Sequence, residues 1–119
     1  MIIRDFRPTD LPGVAALLEQ LGYEPGEREI QDRLAHLAKA SDHWVRVADV
    51  DGRVVGLLHV YERPALEKAR EAVVQSLVVD AAQRSRGVGA ALMREAEQWA
   101  RERGLPAVAL YTRIDRDAA

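Results

Sequence analysis

The spacing of apolar residues changes several times along the chain, and each spacing predicts a different element. Ile2 to Phe6 is a short apolar segment that reads as a first strand. Leu11, Val14, Leu17, Leu18 and Leu21 then recur at helical intervals and fall on one face. Thr9 or Asp10 stands where an N-cap belongs, Pro12 is tolerated in the first turn, and Gly22 ends the helix. The loop Gly22-Tyr23-Glu24-Pro25-Gly26 is rich in breakers. Beyond it, Ile30, Leu34 and Leu37 define the inward face of a second helix, from about Glu27 to Lys39. Trp44 to Val50 and Arg53 to Tyr61 read as strands joined through Asp51-Gly52, a tight-hairpin signal.

The segment Glu62 to Arg70 is charged and contains Pro64, which predicts a solvated loop or a short helical turn. Ala72 to Val79 is apolar on both faces except at Gln75 and Ser76, as a central strand covered on both sides would be. Val88, Leu92, Ala96, Trp99 and Ala100 share one face of a longer helix, which Gly104 ends with Pro106 behind it. Ala107 to Thr112 is the last strand. The order is βααβββαβ, a mixed-sheet α/β (α+β) domain. A right-handed crossover joins parallel strands, from Val79 through the helix to Ala107.

Composition narrows the function more than the fold. A chain of 119 residues has the length of one domain, residues 1–119, and can bury roughly two thirds of its unfolded surface. No repeat or composition break marks a linker. The net charge of −2 supplies no basic field, which argues against a nucleic-acid partner. No run approaches the ~18 apolar residues of a membrane span, and Met1-Ile2-Ile3-Arg4 does not open a signal peptide. Without cysteine there is no disulfide, thiolate nucleophile or cysteine zinc site, and a reducing cytoplasm is the expected location. His36, His43 and His59 do not stand at metal-ligand spacing, so no metal is expected. His59 and Tyr61 share a strand face that could line a pocket, with core packing the simpler role.

The one local concentration of chemistry is Gln83-Arg84-Ser85-Arg86-Gly87-Val88-Gly89-Ala90, between the Val79 strand and the long helix. Glycines let the backbone approach a ligand and adopt dihedrals that a Cβ forbids. The first amides of the helix lack intrahelical acceptors, the dipole adds partial positive charge, and Arg84 and Arg86 add full charges. This is a cradle for a phosphate or pyrophosphate. The competing reading is a glycine turn capping a helix beside two solvated arginines. Without Gly-Lys-Ser/Thr it is not a P-loop. Leu92 stands where the third glycine of a dinucleotide fingerprint would be.

Arg84-x-x-Gly87-x-Gly89-Ala90 resembles the (Q/R)-x-x-G-x-(G/A) motif of the GNAT acetyltransferases. Ser76-Leu77-Val78-Val79-Asp80 occupies the place of that family's apolar strand before the loop. The paired helices after the first strand, the Asp51-Gly52 hairpin and Gly104 before the last strand also fit. The resemblance spans nearly the whole chain and implies acetyl-CoA as co-substrate. It implies that Arg84, Arg86, Gly87, Val88, Gly89 and Ala90 hold the pyrophosphate. It also implies that Leu77, Val78 and Val79 pair with the pantetheine arm like an added strand where the last two strands splay apart. The amide of Leu77 or Val78 would then stabilise the oxyanion.

The implied reaction is direct attack of a primary amine, on a small molecule or peptide, upon the thioester in a ternary complex. Where the family often has a glutamate base, this chain has Gln75, which can orient a water but cannot accept the proton. Glu71 lies about 13 Å away along the same strand face at ordinary strand rise. It reads either as a remote carboxylate or as a solvated strand start. The family continues into a helix with an N-x-x-A-x-x-x-Y pattern and a further strand. Here Asp115 takes the asparagine position and the sequence stops at Ala119, so the usual phenol is missing and Tyr111 is the nearest substitute acid. This reads as a C-terminally truncated GNAT fold with an open strand edge, for which a homodimer is the expected remedy. Two other readings stand beside the enzyme. One is a non-catalytic acetyl-CoA-binding module or inactive fragment, and the other is a generic phosphate-binding α/β domain.

Overall fold

The computed structural model describes residues 1–110. The elements follow as β1 (Ile2–Asp5), α1 (Leu11–Gln20), α2 (Glu27–Ala38), β2 (His43–Val50), β3 (Arg53–Arg63), β4 (Glu71–Val79), α3 (Val88–Glu102) and β5 (Val108–Leu110). Single 3-10 turns precede α1, at Pro8–Asp10, and follow β4, at Ala81–Gln83. The order is the βααβββαβ that the apolar spacing predicts. The five strands lie side by side in chain order, antiparallel except for the parallel pair β4 and β5.

Helices cover both faces of this sheet. On one face α3 buries Val88, Leu92, Ala96, Trp99 and Ala100 against Ala48, Val55, Leu58, Val74, Leu77 and Val79. On the other, Val14, Leu17 and Leu21 of α1 and Ile30 of α2 meet Val47, Leu57 and Val78. Each large aliphatic side chain so buried stabilises the fold by roughly 1.5–3 kcal/mol. Trp44 and Trp99 stack with centroids 6.2 Å apart, flanked by Arg46 over Trp44 and Arg103 over Trp99. This ladder fastens α3 to β2.

Local chemistry accounts for the ends of the elements. Asp51 and Gly52 both take positive φ, 53° and 84°, as a two-residue hairpin demands. Asp10 differs from its expected part as a cap for α1. Its carboxylate turns back to receive the Arg7 amide at 2.7 Å and both terminal nitrogens of Arg4 at 2.8 Å. Arg4 also reaches Asp49 at 3.1 Å, so β1, β2 and the start of α1 meet in one part-buried ion cluster. Arg4 holds the Asp10 carboxyl well below the usual range, against the opposing pull of burial.

Two register shifts were not legible in the sequence. Between β2 and β3, Asp49 faces Val54 and Ala48 faces Gly56, so Val55 is an extra residue on β3. Between β3 and β4, Val60 faces Val74 and His59 faces Ser76, so Gln75 is an extra residue on β4. Such bulges change which alternate side chains point inward. In β4, Ala72 and Val74 face α3 before the bulge, and Leu77 and Val79 face it afterwards.

Candidate functional site

The glycine loop is held from three sides. Asp80 directly follows β4 and is buried, and its amide donates to the Val55 carbonyl at 2.8 Å. Its carboxylate accepts from Arg53 of β3 at 3.0 Å and from Gln20 of α1 at 3.2 Å. Gln20 Oε1 in turn receives the Ala81 amide at 2.9 Å. The bond between Gln20 and Asp80 has no local signature in the sequence, for the two lie 60 residues apart in the chain. Ser85 and Gly87 then take positive φ, 67° and 82°, and Gly87 serves as the N-cap of α3.

Gly87 has no side chain to cap the helix, so the amides of Val88, Gly89 and Ala90 keep their outward direction without an intrahelical acceptor. A Cβ added at Gly87 would meet nothing within 4 Å. The conformation, and not crowding inside the protein, is what asks for glycine there. Val88 is buried against the sheet and anchors the turn, while Arg86 is exposed and Arg84 half-buried on its rim. The predicted residues Arg84, Arg86, Gly87, Val88, Gly89 and Ala90 therefore form one continuous turn at the carboxyl end of β4.

Parallel pairing with β5 covers Ala72 to Val74 among the described residues. The Ala72 amide donates to the Ala107 carbonyl on that side. The Asp80 amide points the opposite way, to β3. Successive amides of a strand alternate in direction. Counting back from Asp80, the Val78 amide faces β3, whereas those of Leu77 and Val79 face the β5 side. Had Gln75 kept its place in a regular alternation from Ala72, Val78 would have taken the β5 side.

On the opposite sheet face, a cavity of about 670 Å³ opens between α1, α2 and the strands. Its walls are mainly apolar, from Val14, Leu18, Leu34 and Leu57 among others, with Asp32, Arg33 and His36 of α2 also lining it. His59, Gln75 and Ser76 add its polar groups from the sheet. The bulge is what places the adjacent residues Gln75 and Ser76 in the same cavity. Glu71 stands at the other end of β4, paired with Arg63 and with Lys68 at 3.2 Å. Lys68 foremost, then Arg63, draw its carboxyl below the ordinary range. A carboxylate held in this way is a poor proton acceptor. Tyr111 lies outside the described residues.

His59 does more than pack. Its Nε2 lies 2.9 Å from Nδ1 of His43, and His43 stacks on Tyr61 at 5.0 Å. The Val55 bulge brings both histidines to one face, which plain alternation back from the hairpin would have denied them. Among the described residues no group of three or more His, Asp or Glu is placed to hold a metal ion. No helix among them is long and apolar enough to cross a membrane.

Residues 11–119 match the family model described as Acetyltransferase (GNAT) family. No curated protein matches significantly. Solved structures do. A GNAT family acetyltransferase from Staphylococcus aureus superposes with a TM-score of 0.83 at 20% identity, over 99% of this chain and 90% of that one. Glucosamine-6-phosphate N-acetyltransferase from Arabidopsis thaliana gives 0.84 at 19% identity, over 95% and 82%. The aminoglycoside N-acetyltransferase AAC(6')-Iy in complex with CoA gives 0.82 at 20% identity, over 94% and 76%.

Proposed function

The chain belongs to the GNAT family of acetyltransferases, and from that premise we propose that it transfers the acetyl group of acetyl-CoA to a primary amine by direct attack in a ternary complex. The observation that carries the reading is the Ser85 to Gly87 turn, which opens α3 with unpaired amides beside the end of β4. In this reading the amides of Val88, Gly89 and Ala90, with Arg84, Arg86 and Gly87 around them, receive the pyrophosphate. Leu77 and Val79 offer their amides to the pantetheine arm, with Val78 between them. Alternation along β4 favours Leu77 over Val78 as the donor to the oxyanion, because its amide faces β5. Such a donor contributes roughly 2.7–4 kcal/mol of transition-state stabilisation where it has been removed by mutation.

The acceptor enters the cavity under α1 and α2, where Gln75 orients the amine or a water and Glu71, bound in its ion pairs, takes no proton. The apolar walls favour an amine carried on an apolar body, whether a small molecule or a peptide. The similar structures named for glucosamine-6-phosphate and aminoglycoside acetylation are those of amine-acetylating enzymes. Their substrates give a class and not an identity for this chain. Self-association and a cytoplasmic location belong to the same proposal. The non-catalytic alternative draws support from Gln75, which carries no basic group.

Titration of the chain with acetyl-CoA by calorimetry tests the cradle. Micromolar binding is expected, and Gly87→Glu should abolish it by placing a carboxylate where the pyrophosphate lies. Undiminished affinity in that variant would remove the pyrophosphate from this turn. Thiol release with a panel of primary amines separates the enzyme from the binding module.

A further inference from the structure

Resting on the acetyl-transfer reading, we propose that His59 and His43 are the proton exit of the acceptor cavity, His59 taking the proton from the attacking amine and His43 passing it on to a neighbouring cleft. His59 lines the cavity of about 670 Å³ together with Gln75 and Ser76, and it faces Ser76 across the β3–β4 ladder. His43 lines a different cleft, of about 330 Å³, between Asp5, Phe6, Leu34, Leu37 and Ala38. The 2.9 Å contact between the two rings is thus a polar bridge from one space to the other. Stacking on Tyr61, with ring planes 12° apart, holds the His43 ring in place.

The chemistry needs one tautomer. His59 Nε2–H donates to His43 Nδ1, which leaves the lone pair on His59 Nδ1 free to accept. Among the described residues that nitrogen makes no hydrogen bond. Attack by the amine lone pair forms the C–N bond and leaves an excess proton on nitrogen in the tetrahedral intermediate. That proton moves to His59 Nδ1 as the Nε2 proton moves to His43 Nδ1. His43 releases its own Nε2 proton to water in the second cleft. The C–S bond then breaks, and the thiolate takes a proton from water. Both rings end in the opposite tautomer and return by exchange with solvent.

The surroundings favour a neutral pair. Burial first, and then His43, press His59 down to about 4, so it stands neutral at neutral pH. Because its Nε2 proton leaves as Nδ1 accepts, the step never forms the imidazolium that this burial disfavours. From α2, Asp32, Arg33 and His36 line the cavity, while α1 and β4 line it with uncharged residues. On the cleft side, Asp5 of β1 pairs with Arg46 at 2.9 Å. Tyr61 neighbours both rings, stacked on His43 at 5.0 Å and tilted to His59 at 6.1 Å.

Nitrogen NMR of the histidine rings in the 119-residue chain reads the tautomer without any turnover. A protonated Nε2 and bare Nδ1 on His59 are expected, and the reverse tautomer overturns the proposal. In the amine assay, His59→Gln should lose on the order of 100-fold in kcat, the lower end of general-base effects, with little change in KM. His43→Gln should lose less, and in the same parameter. Imidazole should restore turnover to His59→Ala, and acetyl-CoA should bind all three variants as it binds the parent. An unchanged kcat in folded His59→Gln, or a raised KM without rescue, leaves acetyl transfer standing and overturns the relay. A parent chain that turns over no amine overturns the acetyl-transfer reading, and the relay with it.

Discussion

At the scale of single residues, two ionisable groups, the half-buried His59 and the buried Asp10, fix how stability responds to pH. His59 is held neutral, with its imidazole pushed down to about 4 by burial and by His43. The unfolded chain, where this histidine titrates near its ordinary ~6.5, binds more protons between those values. Stability therefore rises with pH through that window, is complete above it, and falls on acidification by an amount on the order of 3 kcal/mol. Asp10 acts lower on the scale. Its carboxyl is depressed by Arg4, so its contribution is present above the ordinary carboxylate range and is lost as pH falls through the depressed value. Urea midpoints measured from pH 7 down to 3 should show the first loss before carboxylates titrate, and His59→Gln should flatten that segment alone. If the variant keeps the slope, His59 is not its source. Neither group's state was legible in the sequence, because each depends on a neighbour that only the fold supplies.

Among the elements, α3 carries the cofactor half of the proposed site, and Gly56 decides where it sits. A Cβ at this position on β3 would lie 3.0 Å from Leu92 Cδ1, 3.0 Å from Val88 Cγ1 and 3.1 Å from Ala48 Cβ. The backbone of β3 thus meets the first turns of the helix so closely that a methyl group would push its neighbours aside by a few tenths of an ångström. Gly56→Ala should destabilise the chain by about 1–2 kcal/mol, crowding being partly offset by lower chain entropy in the unfolded state. Because Val88 begins α3, acetyl-CoA affinity should fall with it. Denaturation and calorimetry on the same sample would register both, and loss of neither would mean that Leu92 and Val88 yield freely. The helix itself was plain from Val88, Leu92, Ala96, Trp99 and Ala100. The close approach at Gly56 was not, for a glycine among valines and leucines reads equally well as a weak point in a strand. The same holds for the two bulges. Alternating hydrophobicity places a strand well, but a residue inserted into the ladder has no signature in a stretch that is apolar on both faces.

For the whole molecule, the two proposed half-sites lie at different distances from what a sequence displays. The cradle is contiguous from Arg84 to Ala90, so its outline could be read directly. The acceptor cavity collects residues from α1, α2, β2, β3 and β4, and no local pattern announces it. Gln20 and Asp80 tie the two halves together through α1, which both walls the cavity and braces the glycine loop. Self-association is the property of this scale open to direct test. The chain has a mass of 13.2 kDa, and light scattering at micromolar concentration should report twice that value. A monomer mass would withdraw the homodimer and leave the two half-sites as they are.

The extra residue in β4 also has a genetic reading. Removing the single codon for Gln75 would return the strand to strict alternation, with Ala72, Val74, Leu77 and Val79 still directed at α3. The ladder with β3 would run unbroken, and the Leu77 amide would keep its direction. What would vanish is the pair of adjacent side chains that share the cavity. On the proposed reading, such a deletion should pass a screen for solubility or heat resistance and fail one for growth on the proposed activity, so that the two kinds of selection would pull the gene in opposite directions at Gln75.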